Sequence, residues 1–210
     1  MDKMIFTMLN SMKNVQNKQS NNAHEIANVV TPGFKKSYSE QTQSLDVHIP
    51  GTFATRAMPV TNATNVVDMN PGALMVSGRA LDVYVNTSGA IAVQGPEGQE
   101  LYTRRGDLTI SADGQLMTGT GSLVLGDGGP ITVPGGSNIS ITNDGSVNMI
   151  PQGANAEVTV GRIKLVDTKD TEMLIREDGL YQVREGALPA SADITLTTKA
   201  LEGSNVTVVD

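Results

Sequence analysis

The feature that most constrains this chain is a narrow apolar stripe along its first thirty-odd residues. Apolar side chains recur there at steps of three and four, and the spacing passes over Gln19 and Asn22 before it resumes. Such heptad spacing is typical of a helix that packs through one narrow face. It predicts a helix from about Lys3 to Asn28, roughly 39 Å long at 1.5 Å per residue. The stripe consists of Ile5, Met8, Met12, Val15, Ile26 and Val29.

The end of this helix is marked by Thr31-Pro32-Gly33, because proline disfavours helical backbone in the residue before it and glycine permits a turn. Phe34 follows as an aromatic anchor beside Lys35 and Lys36. The sequence contains no second helix of similar length on which the stripe could pack. The stripe could dock on the rest of its own chain or on helices of other chains, and strict heptad spacing favours the second.

Asparagine is frequent in the predicted helix, with six residues between positions 10 and 28. Asparagine is a poor helix former, and an isolated helix gains little stability from propensity alone. We therefore expect this segment to be mobile in a monomer and to become ordered when partners bind it.

Composition and charge exclude several classes of protein. The 210 residues include no Cys, which removes disulfides, thiolate metal sites and cysteine nucleophiles. The total charge is −7, but residues 1–36 carry five lysines against Asp2 and Glu25, which leaves −10 for the rest. An acidic body argues against nucleic-acid binding. No run reaches 18 apolar residues, so membrane insertion is not expected, and no cleaved signal peptide is predicted.

From about Gly72 onward the pattern becomes that of β-strands. Short alternating segments, such as Leu81-Val83-Val85 and the pair Leu123 and Leu125, recur at spacings of roughly 8–12 residues. Asp-Gly pairs between them are hairpin signals. The predicted fold class is mainly β: an all-β, sandwich- or barrel-like body with a long N-terminal α-helix and an extended linker.

A weak internal repeat lies within this body. The pattern apolar-x-x-Asp-Gly-x-apolar occurs at residues 110–116, 141–147 and 175–181. Its offsets of 31 and 34 residues could indicate a solenoid. The simpler interpretation is a strand, a tight turn and a strand at each position.

Residues 37–70 show no clear period and are rich in Ser, Thr, Gln and Asn. Pro50-Gly51 and Pro59 interrupt them. Because loops of this length are usually functional or disordered, they are interpreted as an extended arm or linker, with a short strand around Phe53 to Val60.

The sequence offers no convincing catalytic or metal site. His24 and His48 are the only histidines, and nothing in the pattern brings further ligands to them. No Ser-His-Asp context is present, and most turn aspartates are explained by hairpin geometry. Arg104-Arg105-Gly106 is interpreted as a structural corner. We therefore predict no cofactor, no metal and no enzymatic activity.

Five blocks of the sequence, in the right order, resemble the bacterial flagellar rod and hook protein family. The first is Asn21-Asn22 with Ile26-Ala27-Asn28 and Thr31-Pro32-Gly33-Phe34-Lys35. The body blocks are residues 81–85 with 102–108, residues 112–116 with 128–134, and residues 161–166. The last is Leu201-Glu202-Gly203-Ser204-Asn205-Val206. Length and the Gly-Gly-Pro-Ile block are most similar to proximal rod subunits.

The resemblance implies a structural subunit that polymerises helically through its N-terminal helix and transmits torque. It implies export through the flagellar type III apparatus without a cleaved signal peptide, and a place in the basal body across the periplasm. The partners would be other copies and neighbouring rod subunits. The expected interface residues are Ile5, Met8, Met12, Val15, Ile26 and Val29, with Phe34 as the anchor of the turn.

The sequence departs from the family in two places. Ala23-His24-Glu25 stands where the family usually has an Asn-Leu-Ala-like run, and the C-terminal helix that normally follows residues 201–206 is expected to be missing. The predicted division is a helix at 1–36, an arm at 37–70, a β body at 71–200 and a truncated C-terminal assembly segment at 201–210. The alternatives are a distal rod or hook subunit, or a periplasmic or cell-surface β module that binds glycan or peptide. A hydrolase is a third reading.

Overall fold

The chain folds as one long helix followed by a β body. A computed structural model describes residues 2–38, 41–48, 55–62, 65–151, 153, 156–184 and 186–207. The helix, α1 (Asp2–Ala27), is 26 residues long and ends close to its predicted bounds. In the described part of the chain the other regular elements are strands, which confirms the mainly β fold class with an N-terminal helix. No described helix is long and apolar enough to cross a membrane.

The strands of the described residues are short, and most pair with a neighbour close in sequence. They are β1 (Ser37–Tyr38), β2 (Gln41–His48), β3 (Thr55–Asn62), β4 (Val66–Val67), β5 (Leu74–Val76), β6 (Val83–Val85), β7 (Gly89–Gln94), β8 (Glu100–Thr103), β9 (Leu108–Ile110), β10 (Leu116–Thr118), β11 (Leu125–Gly126), β12 (Gly129–Pro130), β13 (Gly136–Ile141), β14 (Ser146–Pro151), β15 (Val158–Arg162), β16 (Leu165–Asp167), β17 (Leu174–Ile175), β18 (Tyr181–Gln182), β19 (Leu196–Thr198) and β20 (Ala200–Glu202).

A seven-stranded antiparallel sheet organises the body, in the order β1-β4-β17-β18-β8-β7-β16. Its strand β7 shows why the sheet is buried on both faces. Ile91 and Val93 point into one apolar cluster, whereas Ala90 and Ala92 point into a second one on the opposite face. A strand with both faces covered needs apolar residues at successive positions, as β7 has.

The larger apolar cluster forms the main core of the body. Aliphatic side chains build it, as expected for a chain with 3% aromatic residues. Its members are Val83, Val85, Ile91, Val93, Leu101, Leu108, Leu116, Val124, Ile131, Val133, Ile141, Val147, Met149, Ile163, Leu165, Leu180, Ile194 and Leu196. The second cluster adds the chain's buried tyrosines, Tyr102 and Tyr181.

The three copies of the Asp-Gly pattern form three hairpins with the same register. The first and last residues of each pattern are strand partners: Ile110 with Leu116, Ile141 with Val147, and Ile175 with Tyr181. The glycines adopt positive φ angles of 77°, 87° and 78°. These angles fit a three-residue loop that ends in a left-handed residue. The hairpin interpretation of the repeat is therefore correct.

The strand prediction around Leu123 and Leu125 has the wrong phase. Val124 between them is fully buried in the main core, whereas Leu123 and Leu125 are half-buried. Leu125 packs against the second cluster on the other face. Leu-Val-Leu is apolar at every position, so alternation could not identify the residue that faces the core.

Residues 37–70 contain more structure than the predicted arm with one short strand. β2 and β3 pair along their full lengths, from Gln41 opposite Asn62 to His48 opposite Thr55. At the ends of the arm, β1 and β4 pair with each other and join the large sheet. Apolar alternation is limited to Leu45 and Val47 on β2 and to Met58 and Val60 on β3, which is too short a pattern to mark two strands in a stretch rich in polar residues. Both strands of a two-stranded hairpin are edge strands. Pro59 is compatible with such an edge strand. Phe53 lies outside the described residues.

The block at residues 201–206 packs on the body. β20 pairs with β5, with Leu201 opposite Met75, and the Glu202 side chain is fully buried. The described part of the predicted C-terminal assembly segment is thus continuous with the sheet structure before it.

Candidate functional site

The predicted apolar stripe is exposed along α1. The side chains of Met8, Met12, Val15 and Ile26 are 70%, 74%, 65% and 56% exposed. Ile5 lies on α1, but its side chain is outside the described part of the chain. At these four positions α1 does not pack its apolar face on its own body, so that face is free to meet other chains.

Val29 lies beyond the last residue of α1, contrary to its predicted place on the helical stripe. It sits in the turn after Ala27 and is half-buried. The helix stops before it because Asn28 turns the chain: its side-chain amide donates to the carbonyl of His24 at 2.9 Å, and its Oδ1 accepts from Thr31 Oγ1 at 3.1 Å. Asparagine readily bonds to the local backbone in this way, which competes with helix continuation.

Phe34 contacts the helix of its own chain. Its ring meets the His24 ring edge-on, with 5.6 Å between ring centroids. Aromatic pairs favour such edge-to-face geometry. Phe34 is half-buried and lies between the turn and the last helical residues, while its role as the anchor of the turn stays a prediction.

Gly33 sits where no other residue fits without strain. Its φ is +68°, and a Cβ there would approach the carbonyl oxygen of Arg104 to 2.6 Å. Its amide donates to the carbonyl of Glu202 at 2.8 Å, and its own carbonyl accepts from the Tyr181 hydroxyl at 3.2 Å. Burial, together with the negative charge of Glu202, raises the pKa of Tyr181, so this hydroxyl keeps its proton. Gly33 therefore fixes the point where the chain leaves α1 and enters the body.

Directly after this turn lies a cluster of three fully buried charges, which we call the junction cluster: Lys35, Arg104 and Glu202. Lys35 Nζ lies 2.5 Å from Glu202 Oε1, and Arg104 Nε lies 2.7 Å from Glu202 Oε2. The amide of Gly72 also donates to Glu202 Oε1, at 2.6 Å. Each carboxylate oxygen thus accepts at least one hydrogen bond, as a buried charge requires.

Arg104 is held in the body by backbone carbonyls. Its two terminal nitrogens donate to Val85, Thr87 and Gly89 at 2.6–2.8 Å. The planar guanidinium can make these bonds and the bond to Glu202 together, which an ammonium could not. Arg104 therefore holds a fixed positive charge in the body, next to Glu202.

Lys35 brings a second positive charge into the same site. Its Nζ donates to the carbonyl of Asn70 at 2.5 Å as well as to Glu202. Burial and the neighbouring Arg104 charge lower the pKa of Lys35 to about 8, although Glu202 opposes this. Burial is thus the main reason why the lysine loses its proton more easily than in water, and the Arg104 charge adds to it.

Beside the cluster, a second set of hydrogen bonds joins Asn205 to the segment after α1 and to Asp68. Asn205 Oδ1 accepts from the amide of Lys36 at 2.7 Å, and Asn205 Nδ2 donates to the carbonyl of Asp68 at 3.0 Å. The amide of Asn205 donates to the carbonyl of Phe34 at 3.3 Å. Residues 33–36 therefore lie between the β20 region and residues 68–72.

Sequence reasoning did not single out Lys35, Arg104 and Glu202 as a site. It treated Lys35 as a flank of Phe34, Arg104 as part of a corner and Glu202 as part of a terminal segment. The available signal was that all three lie in blocks that resemble one family, although they are 69 and 98 residues apart along the chain. A spatial convergence of distant charges has no periodicity to reveal it.

Neither histidine marks a metal site in the described part of the chain. His24 packs on Phe34, and His48 lies on β2, where its side chain is not described. Among the residues whose side chains are described, no three His, Asp or Glu groups converge as metal ligands.

Comparisons with known proteins identify the family. A model of the flagellar hook protein FlgE/F/G D1 domain matches residues 84–149. The flagellar basal-body rod protein FlgF of Salmonella typhimurium is 37% identical over 220 residues, with all of this chain and 86% of that protein covered. The FlgF protein of Escherichia coli is 34% identical, with 100% of this chain and 85% of that protein covered.

The FlgG rod protein of Buchnera aphidicola subsp. Acyrthosiphon pisum is more distant, at 30% identity over 88% of this chain and 74% of that protein. Relatives matched along the whole chain are thus named as rod proteins, which does not favour a separate binding module. With its exposed helical stripe and mainly β body, the chain belongs to the flagellar basal-body rod protein family and is a structural subunit of the rod.

Proposed function

We propose that this subunit polymerises through the apolar stripe of α1, which packs against helices of neighbouring copies and other rod subunits. The observation that supports this is the exposure of the stripe: Met8, Met12, Val15 and Ile26 are all more than half exposed on the folded chain. Burying each such side chain is worth about 1.5–3 kcal/mol. A row of them on a helix is a strong association surface, whereas it would be a liability on a monomer.

The stripe also carries information about register. Gln19 and Asn22 interrupt it in the middle, and both lie on the helix. A polar residue at a seam position costs stability but favours the one alignment in which it finds a polar partner. We propose that these two residues set how far neighbouring helices slide past one another.

The division of labour follows the chain. We propose that residues 1–36 form the assembly segment, residues 37–70 an arm, and residues 71–200 the body that makes lateral contacts. Residues 201–206 fasten the far end of the chain to that body through β20 and the junction cluster. No catalytic step is assigned to any part, and the role is structural, with torque carried from subunit to subunit.

We propose further that the subunit sits in the proximal part of the rod, across the periplasm, after export through the flagellar type III apparatus. The Asn-rich composition of α1 supports this route, because a weakly helical segment opens at little cost and can pass through a narrow channel unfolded.

The test is to place charge on the stripe and the same charge on the opposite face. Met12→Asp with Val15→Asp should abolish incorporation into basal bodies and swimming in cells that carry only this variant. Asn17→Asp with Ser20→Asp adds the same charge away from the stripe and should leave both intact. Since Met12 is 74% exposed, the free energy of unfolding of the purified subunit should change by less than about 0.5 kcal/mol. Normal swimming of the stripe variant would refute the proposal.

A further inference from the structure

The junction cluster holds two cations and one anion, and this imbalance affects the order in which two segments, residues 33–36 and 200–206, dock on the body. Arg104 belongs to the body, Lys35 to the segment after α1, and Glu202 to β20. Glu202 is the single anion between two cations, and all three side chains are fully buried. The order in which the ends reach the body therefore decides whether a buried charge is left without a partner.

The Arg104 guanidinium is held by carbonyls that belong neither to residues 33–36 nor to residues 200–206. Its bonds to the carbonyls of Val85, Thr87 and Gly89 come from β6, β7 and the turn between them. Those bonds leave the positive charge itself uncompensated. If β20 docks first, Glu202 Oε2 pairs with Arg104 Nε at 2.7 Å and compensates its charge. The amide of Gly72 then donates a hydrogen bond to the other carboxylate oxygen, Oε1.

The opposite order is unfavourable. If residues 33–36 dock first, the Lys35 ammonium meets the Arg104 charge with no carboxylate beside it. The two like charges then repel each other, and neither has the anion that compensates it in the complete fold. The amide of Gly33 would also lack its acceptor, because that acceptor is the carbonyl of Glu202.

We propose that Glu202 is a positioning residue for α1: the base of the helix locks onto the body after residues 200–206 have docked, and not before. The Arg104–Glu202 pair is then the site that Lys35 binds. This coupling is a property of the folded subunit and does not depend on rod assembly.

The experiment is native-state hydrogen exchange of individual amides in the full chain. The Lys36 amide reports the docking of residues 33–36, because it donates to Asn205. The Gly203 amide reports the docking of β20, because it donates to Ala73 at 2.7 Å. The Ala92 amide, which donates to Lys164, reports the body core.

Lys35→Met keeps the Glu202–Arg104 pair and is the decisive variant. Its Lys36 amide should exchange at least about 10-fold faster, whereas its Gly203 amide should change less than about 3-fold. Glu202→Gln leaves two buried cations and should accelerate both amides at least about 10-fold while Ala92 stays protected. Glu172→Gln, which removes a carboxylate from a mostly exposed pair with Arg184, is the matched control and should change neither.

The double variant Lys35→Met/Glu202→Gln tests the charge mechanism itself. Removing the ammonium relieves the repulsion, so its Lys36 amide should exchange more slowly than in Glu202→Gln alone. Equal loss of protection at Lys36 and Gly203 in Lys35→Met would mean that the ends dock as one unit, and the ordered mechanism would be wrong. Purely additive effects in the double variant would also overturn it. If Glu202→Gln does not fold, the Lys35→Met result alone decides.

Discussion

The hydroxyl of Tyr181 donates to the carbonyl oxygen of Gly33 at 3.2 Å, which joins a buried strand of the large sheet to the turn that follows α1. Tyr181 lies on β18, next to Tyr102 on β8, so the bond starts from the middle of the seven-stranded sheet. The position of the helix base is thus set from the core of the body as well as by the chain ends.

Replacing Tyr181 by Phe should destabilise this turn. The substitution removes one hydrogen bond and leaves the buried carbonyl of Gly33 without that donor, at a cost of about 1–3 kcal/mol. Urea unfolding should show a lower midpoint at an unchanged slope. Tyr38→Phe is the control, because Tyr38 is 54% exposed, and it should shift the free energy of unfolding by less than about 0.5 kcal/mol.

Gly33→Ala should lower the free energy of unfolding by more than the left-handed backbone conformation of Gly33 alone would cause. Gly186 has nearly the same φ, +70° against +68°, but a Cβ at Gly186 would meet nothing within 4 Å. Both alanines pay for the left-handed backbone, and only the one at 33 collides with the Arg104 carbonyl. We expect Gly33→Ala to lower the free energy of unfolding by about 1–3 kcal/mol more than Gly186→Ala. Equal effects in urea unfolding would contradict the crowding seen at Gly33.

Lys35 should make stability rise with pH in the alkaline range. Its pKa is lowered to about 8 in the folded chain by burial and by Arg104, from 10.5 when unperturbed. Between these values the unfolded chain holds more protons, so raising the pH favours the folded state. The difference in free energy of unfolding, native chain minus Lys35→Met, should grow by up to about 1.4 kcal/mol per pH unit from pH 8 to pH 10. A flat or falling difference would show that the lysine stays charged.

Asp144 should keep its charge to unusually low pH. Hydrogen bonds from the Thr142 and Ser146 hydroxyls lower its pKa to about 2, from 3.8. A carboxyl whose pKa falls on folding stabilises the protein above its ordinary pKa, and that contribution is lost as the pH falls from 3.8 toward 2.

The check for Asp144 is a carboxyl carbon NMR titration. Ser146→Ala removes one of the donors and should raise the pKa of Asp144 toward its ordinary value. Ser111→Ala, at the start of the equivalent loop 110–116, should leave the Asp144 titration unchanged. An unshifted curve for Ser146→Ala would assign the effect to Thr142 alone.

Regular patterns explain which parts of the fold could be predicted from the sequence. The heptad spacing predicted α1, and the Asp-Gly turns predicted the three hairpins, because both patterns act within a few residues. The pattern failed at Leu123-Val124-Leu125, where all three positions are apolar, and in the hairpin of β2 and β3, where only two alternating apolar positions lie on each strand.

The junction cluster could not be predicted for a different reason. Lys35, Arg104 and Glu202 meet because three separate segments are packed together, and each looks like an ordinary surface charge in its own stretch of sequence. By contrast, the exposed positions of the stripe were accessible to sequence reasoning. Its residues Met8, Met12 and Val15 are apolar, and the sequence predicts no second helix of similar length on which they could pack, so their exposure could be expected from the sequence. Their role as an interface stays a prediction.

The three hairpins of the body share one loop geometry but differ in one exposed side chain. In each, the Asp-Gly pair sets the backbone, whereas the first loop residue is exposed and differs: Ala112, Asn143 and Glu177. A small apolar, an amide and an acidic side chain thus sit at equivalent places on the same scaffold. Substitutions at these three loop positions can therefore change the surface charge of the subunit one residue at a time, while the strand pairing of each hairpin is preserved.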